Sequence, residues 1–289
     1  MANLKEIRTR IVSVNSTMQI TSAMKMVSAA KLKRAQDAIT KMRPYAEKLK
    51  DILESASASV GVEGSIFSQQ RADKNVWVVA ITSNRGLCGG FNNNIIKETR
   101  KVIAQYAGSN VKVVAIGKKS ADFFRKSTNW ENSSINDHPN AIFDQLNFEN
   151  ASKTAEQLMN AFSEGKVDKV IVIYNRFKNA AMQVVTTEQL LPVLPPQGAQ
   201  ASNVDFIFEP SKEQIVSELI PRSLKVQLYK ALLDSFAAEH GARMTAMHKA
   251  TDNAGELVKD LKLTYNKARQ AAITGEILEI VAGAEALNG

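Results

Sequence analysis

The 289-residue chain is poor in the residues that build metal centres and cross-links, with one cysteine and three histidines. A lone thiol, Cys88, closes no intramolecular disulfide and supplies no multi-cysteine zinc site. His138, His240 and His248 are too scattered in sequence to form a ligand cluster. Secreted, disulfide-stapled and zinc-organised folds are therefore excluded. No run of 18 apolar residues is available to span a bilayer. The amino terminus, MANLKEIRTRIVSV, reaches charge too early for the apolar core of a signal peptide. The chain is expected to stay in the compartment where it is made. Glycine is absent from the first 56 residues, which hold one proline, Pro44; a long uninterrupted element is the expectation there.

What is present suffices for a folded protein. Hydrophobic residues make up 44% of the chain and aromatics 6%, enough for a real core in one or two domains. The net charge of +8 is uneven: residues 1–56 carry eleven Lys or Arg against five acids, while residues 211–289 carry ten of each sign. Such a basic segment suits nucleic acid, anionic lipid or an acidic protein surface, and charge alone does not choose among them.

In residues 1–56, Leu4, Ile7, Ile11, Val14 and Met18, then Leu32, Ala35, Ile39, Met42, Ala46, Leu49 and Leu53, recur at steps of three and four. This is a coiled-coil stripe in one register. Its gap holds Thr21, Lys25 and Ser28, with Ile20, Met24 and Val27 beside it, so either the helix rotates locally or something polar replaces its partner there. Pro44 predicts a kink or restart. Residues 55–75 read as a linker. VWVVAIT (76–82), VKVVAIG (111–117) and VDKVIVIYNRF (167–177) are strand-like, alternating with helical patterns over 93–107, 118–126 and 149–164. That order predicts an α/β layer with parallel strands, with residues 181–192 pairing antiparallel at one edge. From Glu209-Pro210-Ser211, with Ser211 and Gln214 spaced as a capping box, helical periodicity continues almost to the end through Ile273, Ile277 and Ile280; Pro221 predicts a second kink. The organisation is a helix over 1–56, an α/β domain over 76–200 and a helix over 210–289. The terminal helices would be roughly 80 Å and over about 100 Å long, and most simply pair antiparallel as a stalk.

No stretch carries a reaction motif. SNRGLCGGFNNN (83–94) follows a strand and precedes a helix, but it lacks the Gly-x4-Gly-Lys-Ser/Thr of a phosphate loop and the dinucleotide Gly-x-Gly-x-x-Gly. A structural turn is expected. Cys88 has no acid or histidine near it in sequence and reads as a small buried thiol. His240 and His248 are too far apart for a metal pair on one helix face and read as interface or exposed residues, and Asp137-His138 has no companion. The basic stretch 25–43 lacks the interleaved aromatics of a nucleic-acid surface.

Several blocks together resemble the gamma subunit of F-type ATP synthase, bacterial type. ITGEILEIVAGAEA (273–286) matches that family's signature through Glu276, Glu279, Gly283 and Ala284. IRTRIVSVNSTMQITSAMKMVSAAKL, RGLCGGFN, RMTAMHKATDNA and YNKARQ are similar to its other recurrent blocks. The resemblance implies a long antiparallel coiled coil of N- and C-terminal helices plus a central Rossmann-like α/β domain. It implies a non-catalytic rotor shaft without cofactor or metal, inside a hexamer of three alpha and three beta subunits. The partners implied are alpha, beta, epsilon and the membrane c-ring, with no nucleic acid, at the cytoplasmic face of the bacterial inner membrane. It further implies beta-subunit catch contacts at Arg269, Gln270, Thr274, Glu276 and Glu279 with Arg243 nearby, acidic beta loops at Met24 and Lys25, and a foot near the c-ring and epsilon at Phe206, Phe208 and Glu209. The single cysteine implies no thiol switch. A coiled-coil scaffold with a Rossmann-like domain is the alternative, and an enzyme with its own active site the minority reading.

Overall fold

The computed structural model describes residues 4–60, 66–193 and 212–288. Its contacts divide the chain into two compact units, Ala29–Arg243 and the pair Met1–Ser28 with Met244–Gly289, so each long helix contributes to both.

The first helix, α1, spans Leu4–Val60, and the last, α7, spans Lys212–Asn288. Neither proline ends its helix, so of the expected kink or restart the restart does not occur. Pro44 is exposed, so the hydrogen bond its ring removes is open to water. Pro221 is flanked by the fully buried Ile220 and by Leu224, whose burial outweighs the local loss.

The larger unit is built on four strands, β1 (Asn75–Ile81), β2 (Asn110–Ile116), β3 (Lys169–Phe177) and β4 (Gln183–Leu191), in the order β2-β1-β3-β4. β1 pairs parallel with β2 and β3, and β4 pairs antiparallel with β3. The strands read as continuous apolar runs because both faces are covered. On one face Trp77, Val79, Val114, Val172 and Tyr174 meet Ala155, Leu158 and Phe162 of α6 (Phe148–Ser163) and Leu224, Leu228 and Leu232 of α7. On the other, Val78, Ala80, Val113 and Ile173 meet Ile95 and Val102 of α2 (Phe91–Gln105) and Phe124 of α3 (Lys118–Phe124). Between β2 and α3, Gly117 has φ 102°, and a Cβ there would fall 2.0 Å from the Thr82 carbonyl oxygen, so only glycine makes this turn.

The Asn-rich stretch, expected to be irregular, holds two single-turn helices, α4 (Ser134–Asp137) and α5 (Ala141–Asp144), and it covers the free edge of β2. The buried Asn136 does this with its side chain: Oδ1 accepts from Ala115 N at 2.6 Å, while Nδ2 donates to the Val113 carbonyl at 3.1 Å and the Glu131 carbonyl at 2.6 Å. Together with the backbone bridge between Val113 and Trp130, this amide takes the place of a neighbouring strand and blunts an edge open to mispairing. Asn136→Ala should lower stability by about 2–4 kcal/mol by leaving buried backbone groups unpaired, read as a shift of the denaturant midpoint.

Candidate functional site

The smaller unit is a two-helix coil whose register can be read directly. Thr21 Oγ1 lies 2.8 Å from Thr251 Oγ1, and a Cβ on Gly255 would lie 3.8 Å from Met18 Sδ. Rising numbers on α1 meet falling numbers on α7, so the helices are antiparallel. Thr21 is 8% exposed and Ser28 2%. At Thr21 and Ser28 the gap in the apolar stripe is therefore a continuation of the seam in small polar residues, with the half-buried Lys25 between them: Ser28 turns its hydroxyl onto the Met24 carbonyl at 2.7 Å. Local rotation of the helix is not needed.

On α7 the seam runs through Met247, Thr251, Ala254, Val258, Leu261, Tyr265 and Ala268, and Ala272 and Gly275 continue its line beyond the level of Leu4. Ile273, Ile277 and Ile280, which periodicity assigned to the stripe, point away from it, the last two being 54% and 71% exposed. At about 100° per residue they form one ridge on the far side of the helix from Ala268 and Gly275. Arg269 and Glu276 flank the ridge on one side, Gln270 and Thr274 on the other, and Glu279 lies further round. All five are exposed, and Thr274 Oγ1 returns to the Gln270 carbonyl at 2.9 Å. On α1, Met24 and Lys25 are half-buried beside the seam, next to the exposed Ile20 and Val27.

Arg243 belongs to the larger unit. It is buried, with Nη1 2.5 Å from Glu239 Oε1, and Nη2 donates to the carbonyls of Arg85 at 3.1 Å and Gly86 at 3.3 Å. Burial pushes the Glu239 carboxyl up, and the Arg243 guanidinium opposes that. The loop after β1 thus offers carbonyl oxygens to a cation, the wrong polarity for a phosphate cradle. Its Ser83 amide is taken by Asn92 Oδ1 at 2.9 Å. Cys88 is buried, receives a contact from Asn92 Nδ2 at 3.2 Å, and burial raises its pKa, so it is an inert thiol as expected.

The family model described as ATP synthase matches residues 3–287. An ATP synthase gamma chain of Flavobacterium johnsoniae is 64% identical with both chains fully covered, and one of Cytophaga hutchinsonii is 54% identical with the same coverage. The chain belongs to the ATP synthase gamma-chain family. Among solved structures, a central stalk and c-ring assembly of Tetrahymena thermophila mitochondrial ATP synthase holds a chain 26% identical, with TM-score 0.58, covering 80% of this chain and 99% of that one. A Euglena gracilis mitochondrial ATP synthase holds one of the same fold at TM-score 0.68 and 19% identity, covering 98% and 94%.

Of the residues that resemblance to the gamma family singled out, the structure places Arg269, Gln270, Thr274 and Glu276 on either side of one exposed ridge, Glu279 on the line of the seam, and Arg243 apart, roughly seven turns earlier on α7. Phe206, Phe208, Glu209 and the helix cap Ser211 lie outside the described residues. Sequence reasoning missed Glu239, whose i, i+4 spacing to Arg243 was the available signal, and Thr251. It also took His240 for an interface or exposed residue. His240 is 5% exposed, packed edge-on against Phe236 with ring centroids 4.5 Å apart, because one turn of α7 carries it over that ring. His248 is the exposed one, 3.2 Å from Asp252.

Burial, then the nearby Arg243 and Lys31, push the His240 pKa down to about 3. The unfolded chain, with an ordinary histidine near 6.5, therefore binds the extra proton first, and stability must fall as pH drops below about 6.5. At pH 5 the loss from this one group is about 2 kcal/mol. His240→Phe should flatten the dependence of the denaturant midpoint on pH between 5 and 7.

Proposed function

We propose that this chain is the rotor shaft of a proton-translocating F-type ATP synthase, with no active site of its own. The observation that carries the reading is the α7 end. An apolar ridge of Ile273, Ile277 and Ile280, flanked by Arg269, Gln270, Thr274 and Glu276, stands on the side opposite the coiled-coil seam. Exposed isoleucines in a row on a helix ask for a partner surface, each being worth about 1.5–3 kcal/mol on burial. Full-length likeness to gamma chains supports the alpha–beta hexamer as that partner, and the resemblance suggests beta catch loops on Arg269, Gln270, Thr274, Glu276 and Glu279.

In this reading Met24 and Lys25 pass the acidic beta loops, Phe206, Phe208 and Glu209 form the foot near the c-ring and epsilon, and Arg243 is held back within the chain. The shaft couples because it is asymmetric: each orientation presents different contacts to each beta subunit, and only such differences shift nucleotide affinities. No described helix is long and apolar enough to cross a membrane, which suits attachment to the cytoplasmic face of the inner membrane through the complex.

Purified with alpha and beta subunits, the chain should form a stable complex, and the pair Ile277→Asp with Ile280→Asp should weaken association at least about tenfold. A homodimer that ignores alpha and beta would favour the scaffold reading. Within the complex, Met24→Lys should lower the protons pumped per ATP hydrolysed; unchanged coupling counts against the acidic-loop contact.

A further inference from the structure

In a doubly wound sheet the crevice at the carboxyl ends of the strands, where successive crossovers leave to opposite faces, is where ligands sit. Here that place lies between β1 and β3, and α7 itself fills it. Ala238 and Ala242 pack with Cys88, Phe91 and Phe177. Gly241 faces the turn after β3, where a Cβ would come 3.2 Å from both the Cα and the carbonyl oxygen of Ala180 and 3.4 Å from the Phe177 ring. Two residues on, Arg243 bonds the Arg85 and Gly86 carbonyls of the turn after β1. Within one helical turn, α7 is thus pinned to the loops of two strands, by backbone contact on one and by a guanidinium on the other.

We infer that Gly241 is a positioning residue of the rotor: it seats α7 against the β3–β4 turn so that Arg243 reaches the β1 loop, fixing the helix against rotation about its own axis at the point where torque passes between the sheet and α7. The inference rests on the rotor reading above. Glycine in the middle of a helix is otherwise unfavourable, and the close approach to Ala180 gives it a purpose. Upstream, Leu224, Leu228 and Leu232 already bury α7 against the sheet, and these two attachments on different loops extend that hold to the turn around Gly241. A Cβ at 241 asks for a shift of a few tenths of an ångström from the Ala180 backbone, and a branched side chain asks for more, wedging the helix outward and drawing the guanidinium away from carbonyls that it reaches at 3.1 and 3.3 Å. The joint then yields under load while the rest of the chain stays folded.

The test uses the complete complex in sealed membranes, with ATP hydrolysis and proton pumping measured together. Gly241→Ala should lower protons pumped per ATP about twofold and Gly241→Val at least about fivefold, with hydrolysis at half the parent rate or better, as small misplacements remote from the chemistry can have large effects. The two cysteines of Gly241→Cys with Ala180→Cys, placed on a Cys88→Ala parent whose own pumping is the reference, fall within reach of a disulfide. Reduced, this variant should couple poorly; oxidised, the bond replaces the lost seat and coupling should return to at least about half the reference. Packing alone would not produce that recovery. Full coupling in an assembled Gly241→Val complex, or no recovery on oxidation, overturns the inference. If the valine variant does not assemble, the alanine variant and the cysteine pair decide by the same criteria. A parent complex that assembles but pumps nothing points instead to failure of the rotor reading.

Discussion

The hydroxyl contact between Thr21 and Thr251 sets the register of the coil, and most of what the smaller unit presents follows from it. Thr21 is buried and Thr251 half-buried, so a slip by one residue would break the contact between them and rotate the seam side chains by about 100° out of the interface. Each hydroxyl also lies near a carbonyl of its own helix, Met18 at 3.1 Å and Met247 at 2.8 Å, which anchors the pair without a long side chain. Small residues such as Ala254 and Gly255 then let the helices approach closely. Counted from this contact, Leu4 comes level with Ala268, and the end of α7 runs on past the start of α1 among the described residues. The isoleucine ridge falls on that segment, on the side that the coil does not use.

A second constraint governs the larger unit. Its parallel sheet has the layout of a nucleotide-binding fold, yet the polarity at the strand ends is reversed. Where a phosphate loop presents amide hydrogens to an anion, this loop presents the Arg85 and Gly86 carbonyls to Arg243, with Glu239 balancing the charge. A buried pair of this kind is weak evidence of stability in itself. Its value is geometric, since a planar guanidinium fixes the distance and angle of the groups that it joins.

The strands were legible because burial on both faces demands unbroken β-branched runs, and β1, β2 and β3 sit within two residues of the segments read as strands. The antiparallel partner of β3 was legible from its short connection. The 127–147 stretch was not: single-turn helices are too short to show a period, and Asn136 acts through a side chain whose partners are brought together only by folding. Periodicity also misled at Ile273, Ile277 and Ile280, since steps of three and four describe an outward ridge as well as a seam, and only the partner helix distinguishes them. Gly241 was unreadable for a related reason, being defined by Ala180 from another element, whereas the Phe236 ring and the Arg243 charge beside His240 stand one turn away on α7 itself, a spacing that the sequence carried. Resemblance, in contrast, marked Arg269, Gln270, Thr274, Glu276 and Glu279 as a group, and the helix places the first four beside one ridge with Glu279 on the line of the seam.

The most direct measurement of the central claim is rotation. With alpha and beta subunits fixed to a surface and a bead attached at the exposed turn around Lys166, the account requires stepwise, one-directional turning of the bead on addition of ATP. A bead that stays still, or only fluctuates, while the same complex hydrolyses ATP would contradict it.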